Sequence, residues 1–211
     1  MLDDTSRELI RLALAEDLGS GDLTTDCLIP KTQTASCFLL AKEQLVVCGH
    51  EVAHAVFALL DSAVTYRPLI DDGAVATAGA NLGTISGPLG SILKGERTAL
   101  NFLQRLSGVA TKTREFVDAV KPSPLQILDT RKTTPGFRTL EKYAVRMGGG
   151  RNHRVGLFDA VLIKNNHIDA LGGDLRRAVA TCRKDAPKGT KIQVEVRNQA
   201  ELTAAIDSRP D

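Results

Sequence analysis

The sequence is poor in aromatic residues, cysteine and long apolar runs, and each shortage excludes a class of protein. Its 211 residues contain 6 Phe, 2 Tyr and no Trp, so few rings are present to stack on nucleic-acid bases. The 4 cysteines are far apart and form no CxxC pair, which favours reduced thiols in a cytoplasmic protein over a disulfide scaffold. No apolar run approaches the roughly 20 residues of a membrane-spanning helix. The acidic, polar start MLDDTSRELI leads us to expect no signal peptide.

Charge is present in ordinary amounts, but it is unevenly distributed. The formal net charge is +2, from 27 basic and 25 acidic residues. Between residues 131 and 154, seven Lys and Arg side chains and one acidic side chain, Glu141, give a local charge of +6, which leaves −4 for the other 187 residues. This segment therefore favours an anionic ligand. Nucleic acid is a poor partner, because the body of the protein is not basic.

The first 90 residues predict a mixed α+β unit. Thr5 to Glu8 fits a capping box, and the helix that it begins should end at Gly19. A turn-rich loop is predicted for residues 19–26, since glycine and aspartate dominate it. The predicted elements after this loop are one or two strands at 34–48, a helix at 50–60, strands at 64–66, 74–76 and 83–86, and a long helix at 89–120 interrupted near Ser107 and Gly108.

Beyond Pro124, short apolar runs alternate with helical segments, which predicts parallel strands joined by crossover helices. The predicted strands are residues 125–128, 160–163 and 192–196. The first ends in Asp129–Lys132 and the second in Lys164–His167, while the third contains Glu195 and ends at Arg197 and Asn198. Because the carboxyl ends of parallel strands meet at one edge of a sheet, we expect a site there that handles a phosphate or a polycarboxylate.

Three shorter motifs have competing interpretations. The glycines at 148–150 precede the basic run Arg151–Arg154, which predicts a loop that lets backbone approach an anion; a solvated basic loop is the alternative. Gly19 to Asp22 fits a tight turn better than a phosphate cradle, since it lacks the strand–loop–helix context and lysine of a P-loop. His50 to His54 matches HExxH, but no suitable third ligand follows, so we expect an amphipathic helix and no zinc.

The longer motifs closely resemble the quinolinate phosphoribosyltransferase family, the carboxylating nicotinate-nucleotide pyrophosphorylases. The matching stretches are DTRKTTPGFR at 129–138, LEKYAVR at 140–146, GGGRNHR at 148–154, GLFDAVLIKNNHI at 156–168, EDLGSGDLT at 16–24 and ERTALNFLQRLSG at 96–108. The resemblance covers nearly the whole chain, and the stretch from Asp129 to His167 is far more specific than a short motif.

This resemblance implies a fold and a reaction. The fold is an N-terminal α/β sandwich domain with a helical lead-out, residues 1–106, followed by an irregular α/β barrel that is truncated here, residues 107–211. The reaction converts quinolinate and phosphoribosyl pyrophosphate to nicotinate mononucleotide, pyrophosphate and CO₂, with Mg²⁺, in NAD biosynthesis. The family works as a homodimer or a higher homo-oligomer. From composition and charge, we expect no nucleic-acid or membrane partner.

The resemblance also implies roles for single residues that bind quinolinate. Arg131, His153 and Arg154 match positions that hold its two carboxylates, and a dianion explains why several cations are needed. Lys132 matches a lysine near the phosphates and substrate, and Thr130 precedes it at the end of the strand.

Three further residues have implied roles in the reaction. Lys164 and Glu195 match the catalytic positions, with Lys164 near the phosphates and Glu195 beside the ribose, where it is also an indirect metal contact. Arg97 matches an arginine that the partner subunit contributes across the dimer interface.

The family continues past Glu195 with strand–helix units that supply a second acidic residue and glycine-rich loops for the 5′-phosphate, and we expect these to be missing here. Two alternatives stay open. One is the related molybdenum-transport-associated paralogue, which shares the fold. The other is a truncated form that binds a ligand or partner without turnover.

Overall fold

The computed structural model describes residues 2–211, and contacts divide the chain into two compact units, Met1–His153 and Arg154–Asp211. Each unit has its own cluster of buried apolar side chains. Within residues 2–211, none of the helices is both long enough and apolar enough to cross a membrane. The mixed α/β fold class predicted from the sequence is confirmed.

The first unit combines antiparallel strands with a long helix. Its elements are α1 (Asp4–Leu18), α2 (Leu23–Leu28), β1 (Thr34–Leu40), β2 (Leu45–Val46), α3 (His50–Leu60), β3 (Thr65–Pro68), β4 (Val75–Ala76), β5 (Asn81–Pro88), α4 (Leu89–Ala119) and α5 (Arg138–Met147). Three strands form an antiparallel sheet in the order β1-β5-β3, and β2 pairs with β4. Ile10, Phe57 and Leu106 are fully buried in the core that these elements share.

Two aspartates begin the first two helices. The backbone N–H of Ser6 donates to Asp3 Oδ1 at 2.8 Å, so α1 is capped by Asp3 and the predicted cap at Thr5 is wrong. Asp22 caps α2 in the same way, accepting from the N–H of Thr25 at 3.0 Å. The predicted loop over residues 19–26 therefore gives way to a short helix after its first four residues.

Helix α4 is continuous, and the interruption predicted near Ser107 and Gly108 is wrong. A glycine in a helix interior lowers helix stability by about 1 kcal/mol relative to alanine. Buried side chains nevertheless continue along α4 on both sides of Gly108. Leu103, Leu106 and Ala110 are all buried on the same helix, so burial of these side chains outweighs the local preference of Gly108. The predicted domain boundary between residues 106 and 107 lies inside this helix and stays a prediction.

The second unit is a strand–helix–strand arrangement. Its elements are β6 (Val161–Ile163), α6 (Asn165–Ala170), α7 (Leu175–Asp185), β7 (Ile192–Val194) and α8 (Gln199–Ser208). β6 and β7 are parallel, with Val161 opposite Ile192, which confirms the predicted crossover connection. Ile168 and Val179 are among the buried side chains that cover this strand pair.

The first of the three predicted strands beyond Pro124, at residues 125–128, does not form as a strand. It lies in the first unit, where Leu128 makes an isolated parallel bridge to Arg151. Across residues 2–211 the sheets contain three, two and two strands, and none closes into a barrel. Closure of a barrel requires many more tilted strands in one continuous sheet.

Candidate functional site

Two of the predicted basic segments run side by side in the first unit. The N–H of Arg151 donates to the carbonyl of Ile127 at 2.8 Å, and the N–H of Asp129 donates to the carbonyl of Arg151 at 3.1 Å. One step further, the N–H of His153 donates to Asp129 Oδ1 at 2.8 Å. Backbone pairing thus brings the segment that begins at Thr130 next to the segment that ends at His153.

A buried ion pair lies beneath these two segments. Lys142 on α5 donates to the carboxylate of Asp129, and their side chains are only 2% and 7% exposed. Lys142 Nζ also donates to the carbonyl oxygen of His153 at 3.0 Å. Lys142 is one of the cations of the +6 segment, but it is not available to an anionic ligand, because Asp129 neutralises its charge inside the protein.

Other charged residues of the same segment also have structural partners. The amide of Asn152 bridges Asp129 and Arg146: its nitrogen lies 2.8 Å from Asp129 Oδ2, and its oxygen lies 2.7 Å from Arg146 Nη1. Arg138 Nε donates to Thr133 Oγ1 at 3.2 Å and so stabilises the turn that follows Asp129. The cations that face a ligand are therefore fewer than the sequence count indicates.

Residues 130–132 keep donors for a ligand. The hydroxyl of Thr130 accepts from the N–H of Lys132 at 3.0 Å, which shapes the turn. Arg131 is half-buried, and its Nε atom is buried without a hydrogen-bond partner among the residues that the structure describes. Because an unpaired buried donor is costly, this atom is a strong candidate contact for an anion. Lys132 is exposed.

Two residues that the sequence reasoning missed hold the same turn from the helix side. Arg105 on α4 donates to Glu141 Oε1 at 2.6 Å and to Thr134 Oγ1 at 2.9 Å. Burial acts to raise the pKa of Glu141, but hydrogen bonds from Arg105 and Thr134 outweigh it and hold the pKa below its usual value. Arg105 lies in the motif at 96–108, but helical spacing alone could not show which side chain reaches this turn.

The glycines at 148–150 serve helix packing. A Cβ atom on Gly148 would lie 2.5 Å from the carbonyl oxygen of Ala110 and 2.5 Å from Thr113 Cβ. A Cβ on Gly150 would lie 2.8 Å from a methyl group of Val145. Protein atoms occupy the space next to Gly148 and Gly150 that was predicted to admit a ligand. These two glycines are needed instead for close packing within the protein.

In the second unit, the strand ends carry Lys164 and Glu195. The register of the parallel pair places Ile163 opposite Val194, and the N–H of Glu195 donates to the carbonyl of Ile163 at 2.8 Å. Lys164 and Glu195 are thus neighbours at the carboxyl edge of the pair, and both are exposed. Arg154 is half-buried and donates to the carbonyl of Ala160 at 3.1 Å.

Two remaining sequence candidates lie on helices of the first unit. Arg97 is exposed on α4. The ring nitrogens of His50, in the HExxH motif, lie 2.6 Å from the Tyr66 hydroxyl and 2.8 Å from the carbonyl oxygen of Ile70. To bind zinc, His50 would have to break one of these hydrogen bonds. We therefore interpret His50 as a residue that packs α3 against β3.

The fold and the strand-end residues define an α/β protein equipped to bind an anionic ligand. A family model described as the quinolinate phosphoribosyl transferase N-terminal domain matches residues 22–107, and the C-terminal domain of the same family matches residues 109–211. The chain belongs to the quinolinate phosphoribosyltransferase family.

Three proteins that are similar to this chain carry the name nicotinate-nucleotide pyrophosphorylase. A probable carboxylating nicotinate-nucleotide pyrophosphorylase of Synechocystis is 46% identical, over 92% of this chain and 65% of its own length. One from Bacillus subtilis is 40% identical, over 97% of this chain and 70% of its own length. The solved nicotinate-nucleotide pyrophosphorylase of Francisella tularensis has a TM-score of 0.92 at 40% identity, covering all of this chain and 74% of that one. The chain thus spans about two thirds of the length of these curated relatives.

Proposed function

We propose that this chain binds quinolinate and phosphoribosyl pyrophosphate and acts as a quinolinate phosphoribosyltransferase, which forms nicotinate mononucleotide, pyrophosphate and CO₂. The buried, unpaired Nε atom of Arg131 is the observation that carries the proposal. The hydrogen bonds around Thr130 and Glu141 hold the turn that carries Arg131, so the backbone of this residue is fixed before a ligand arrives. Arginine suits a carboxylate because its donors form a planar fork.

The roles of the binding residues follow from their chemistry. Arg131, His153 and Arg154 hold the two quinolinate carboxylates, and Lys132 adds a cation next to Arg131. In the second unit, Lys164 binds the phosphates of the other substrate. Arg97 acts from the partner subunit of a homodimer, which agrees with its exposed position on α4.

The reaction needs stabilisation of charge rather than a covalent nucleophile. Pyrophosphate leaves the anomeric carbon as the pyridine nitrogen attacks it, and positive charge develops on the sugar. Glu195 stabilises that charge, and Lys164 stabilises the departing pyrophosphate. The ring nitrogen becomes cationic, so the adjacent carboxylate leaves more readily as CO₂. The electron pair that remains on the ring carbon then takes up a proton from water.

Mg²⁺ fits this arrangement as an ion carried by the substrate. Among residues 2–211, no group of three or more His, Cys, Asp and Glu side chains is placed to hold a metal. Mg²⁺ commonly binds one or two carboxylates together with substrate phosphates, so Glu195 alone suits it. When bound, the ion neutralises charge on the pyrophosphate. The expectations of no zinc and of a cytoplasmic location stay predictions.

The test measures binding and turnover separately, because the chain spans about two thirds of the length of the relatives named above. Titration calorimetry gives the Kd for quinolinate, and a coupled assay measures quinolinate-dependent release of pyrophosphate. Arg131→Ala should weaken quinolinate binding at least tenfold, since charge-assisted hydrogen bonds contribute about 1.5–3 kcal/mol. Arg11→Ala is the control, because Arg11 is exposed on α1 and pairs with Glu8.

Each outcome has a clear meaning. Quinolinate binding with pyrophosphate release supports the whole proposal. Quinolinate binding without release supports the alternative of a ligand-binding form that does not turn over. Unchanged binding in Arg131→Ala would contradict the role of that residue as a carboxylate contact.

A further inference from the structure

We propose that Asp129 and Lys142 are positioning residues that fix the spacing between two carboxylate-binding arms and so select a ligand with two adjacent carboxylates. The first arm is Thr130–Lys132, and the second arm is His153. The inference rests on the proposed function and deepens it. It concerns the first unit alone, where all of these residues lie.

The pair fixes the backbone of His153 from both sides. Its N–H donates to Asp129 Oδ1 at 2.8 Å, and its carbonyl oxygen accepts from Lys142 Nζ at 3.0 Å. Lys142 also donates to the same carboxylate oxygen, so three groups meet at one point. If the backbone of His153 moved, it would break its hydrogen bond to Asp129 or its hydrogen bond to Lys142.

The first arm is tied to the same point through the chain itself. Asp129 directly precedes Thr130, and Arg131 is only two residues away. The second carboxylate oxygen, Oδ2, lies 2.8 Å from the amide nitrogen of Asn152, next to the second arm. One carboxylate therefore links the two arms, and both of its oxygens are used within the protein. Asp129 is thus unsuited to contact substrate directly.

Stability alone gives a weak reason for this arrangement. The side chains of Lys142 and Asp129 are 2% and 7% exposed, so both charges have lost most of their water. Desolvation commonly offsets the attraction in such a pair, and apolar residues of equal volume are often as stable. What an apolar pair could not supply is the directed contact to the N–H and the carbonyl of His153. Geometry is therefore the property that the ion pair uniquely provides.

The consequence for ligand selection follows from the number of contacts. Quinolinate carries carboxylates on adjacent ring carbons, so it can engage both arms at once. Nicotinate carries a single carboxylate and needs only one arm. If the spacing of the arms is disturbed, binding of the dicarboxylate should suffer most.

The experiment compares these two probes on the 211-residue protein by titration calorimetry. The main variant is Asp129→Asn with Lys142→Met, which removes both charges at similar volume and leaves no lone buried charge. Quinolinate binding should weaken at least tenfold, while nicotinate binding should change less than threefold. The control is Asp26→Asn with Lys94→Met, an ion pair of the same unit with exposed fractions of 54% and 29%. It should leave both affinities unchanged.

The wild-type protein separates the two hypotheses. If it binds no quinolinate, the proposed function fails before any variant is examined, and the positioning role fails with it. If the wild type binds quinolinate but the main variant loses both ligands equally, or neither, only the positioning role is overturned.

A second variant covers a failure to fold. Asp129→Asn with Lys142→Gln also leaves no lone buried charge, and it keeps an acceptor for the N–H and a donor for the carbonyl oxygen of His153. It should produce a smaller but equally selective loss of quinolinate binding. If the melting transition disappears in both variants, the ion pair serves stability alone and the proposal is wrong.

Discussion

Gly148 ends α5 where this helix packs against α4, and a methyl group at that position has no room. Its backbone is ordinary right-handed helix, with φ −70° and ψ −9°, so alanine is conformationally acceptable there. The obstacle is space, because the added Cβ would lie 2.5 Å from both the Ala110 oxygen and Thr113 Cβ. Gly108, within α4, offers the opposite case: a Cβ there has no neighbour within 4 Å.

The two substitutions should change the free energy of unfolding in opposite directions. Overpacking of a close contact costs about 1–3 kcal/mol. In Gly148→Ala, the 2.9 Å hydrogen bond from Arg114 Nε to the Gly148 carbonyl would also be strained, which adds about 1 kcal/mol. We therefore expect the free energy of unfolding to fall by about 2–4 kcal/mol. Gly108→Ala should raise it by about 0.5–1 kcal/mol, the usual gain for glycine replaced inside a helix.

Urea unfolding followed by circular dichroism measures both values, and thermal melts give an independent check. For a chain of this length, each kcal/mol corresponds to roughly 2–4 °C in Tm. Both variants replace a helical glycine by alanine, one at a helix contact and one in open space, so each serves as the control for the other. A Gly148→Ala protein as stable as the wild type would refute the claim that α4 and α5 are in contact at this glycine.

Three further predictions concern stability. Asp3→Ala should lower the free energy of unfolding by about 1 kcal/mol because the α1 cap is lost, whereas Thr5→Ala should stay within about 0.5 kcal/mol in the same urea titration. Asp72→Ala removes the acceptor for the N–H groups of Gly49 and His50 and for the hydroxyl of Tyr143, so it should lower the free energy of unfolding by about 2–3 kcal/mol. Asp71→Ala, at an exposed position, is the control. Equal melting temperatures for the two variants would contradict this prediction. The lowered pKa of Glu141 means that its stabilisation is present above the unfolded pKa of about 4.3 and is lost as pH falls through the folded value. Glu141→Gln should therefore flatten the acid side of a stability-against-pH curve, and an unchanged curve would count against the hydrogen bonds that lower this pKa.

Much of the local structure could be predicted because periodicity and capping are properties of neighbouring residues. The helix at His50–Leu60 agrees with its predicted bounds, and the parallel connection between β6 and β7 was read from alternating strand and helix patterns. Errors arose where a distant contact outweighed a local preference. Gly108 looked like a break, but burial on either side of it keeps α4 continuous. Residues 125–128 looked like a strand, but they make one bridge to a loop.

The candidate site divides in the same way. The sequence by itself determined the family, the kinds of side chain at the strand ends and an excess of positive charge, because motif wording and charge are properties of the chain as written. Only the tertiary structure decided which of those charges are neutralised by a partner inside the protein. Lys142 and Asp129 are 13 residues apart in sequence, and no helical or strand period relates them. They become an ion pair because the fold brings α5 beneath the segment that contains Asp129, and burial there excludes the water that would otherwise separate their charges.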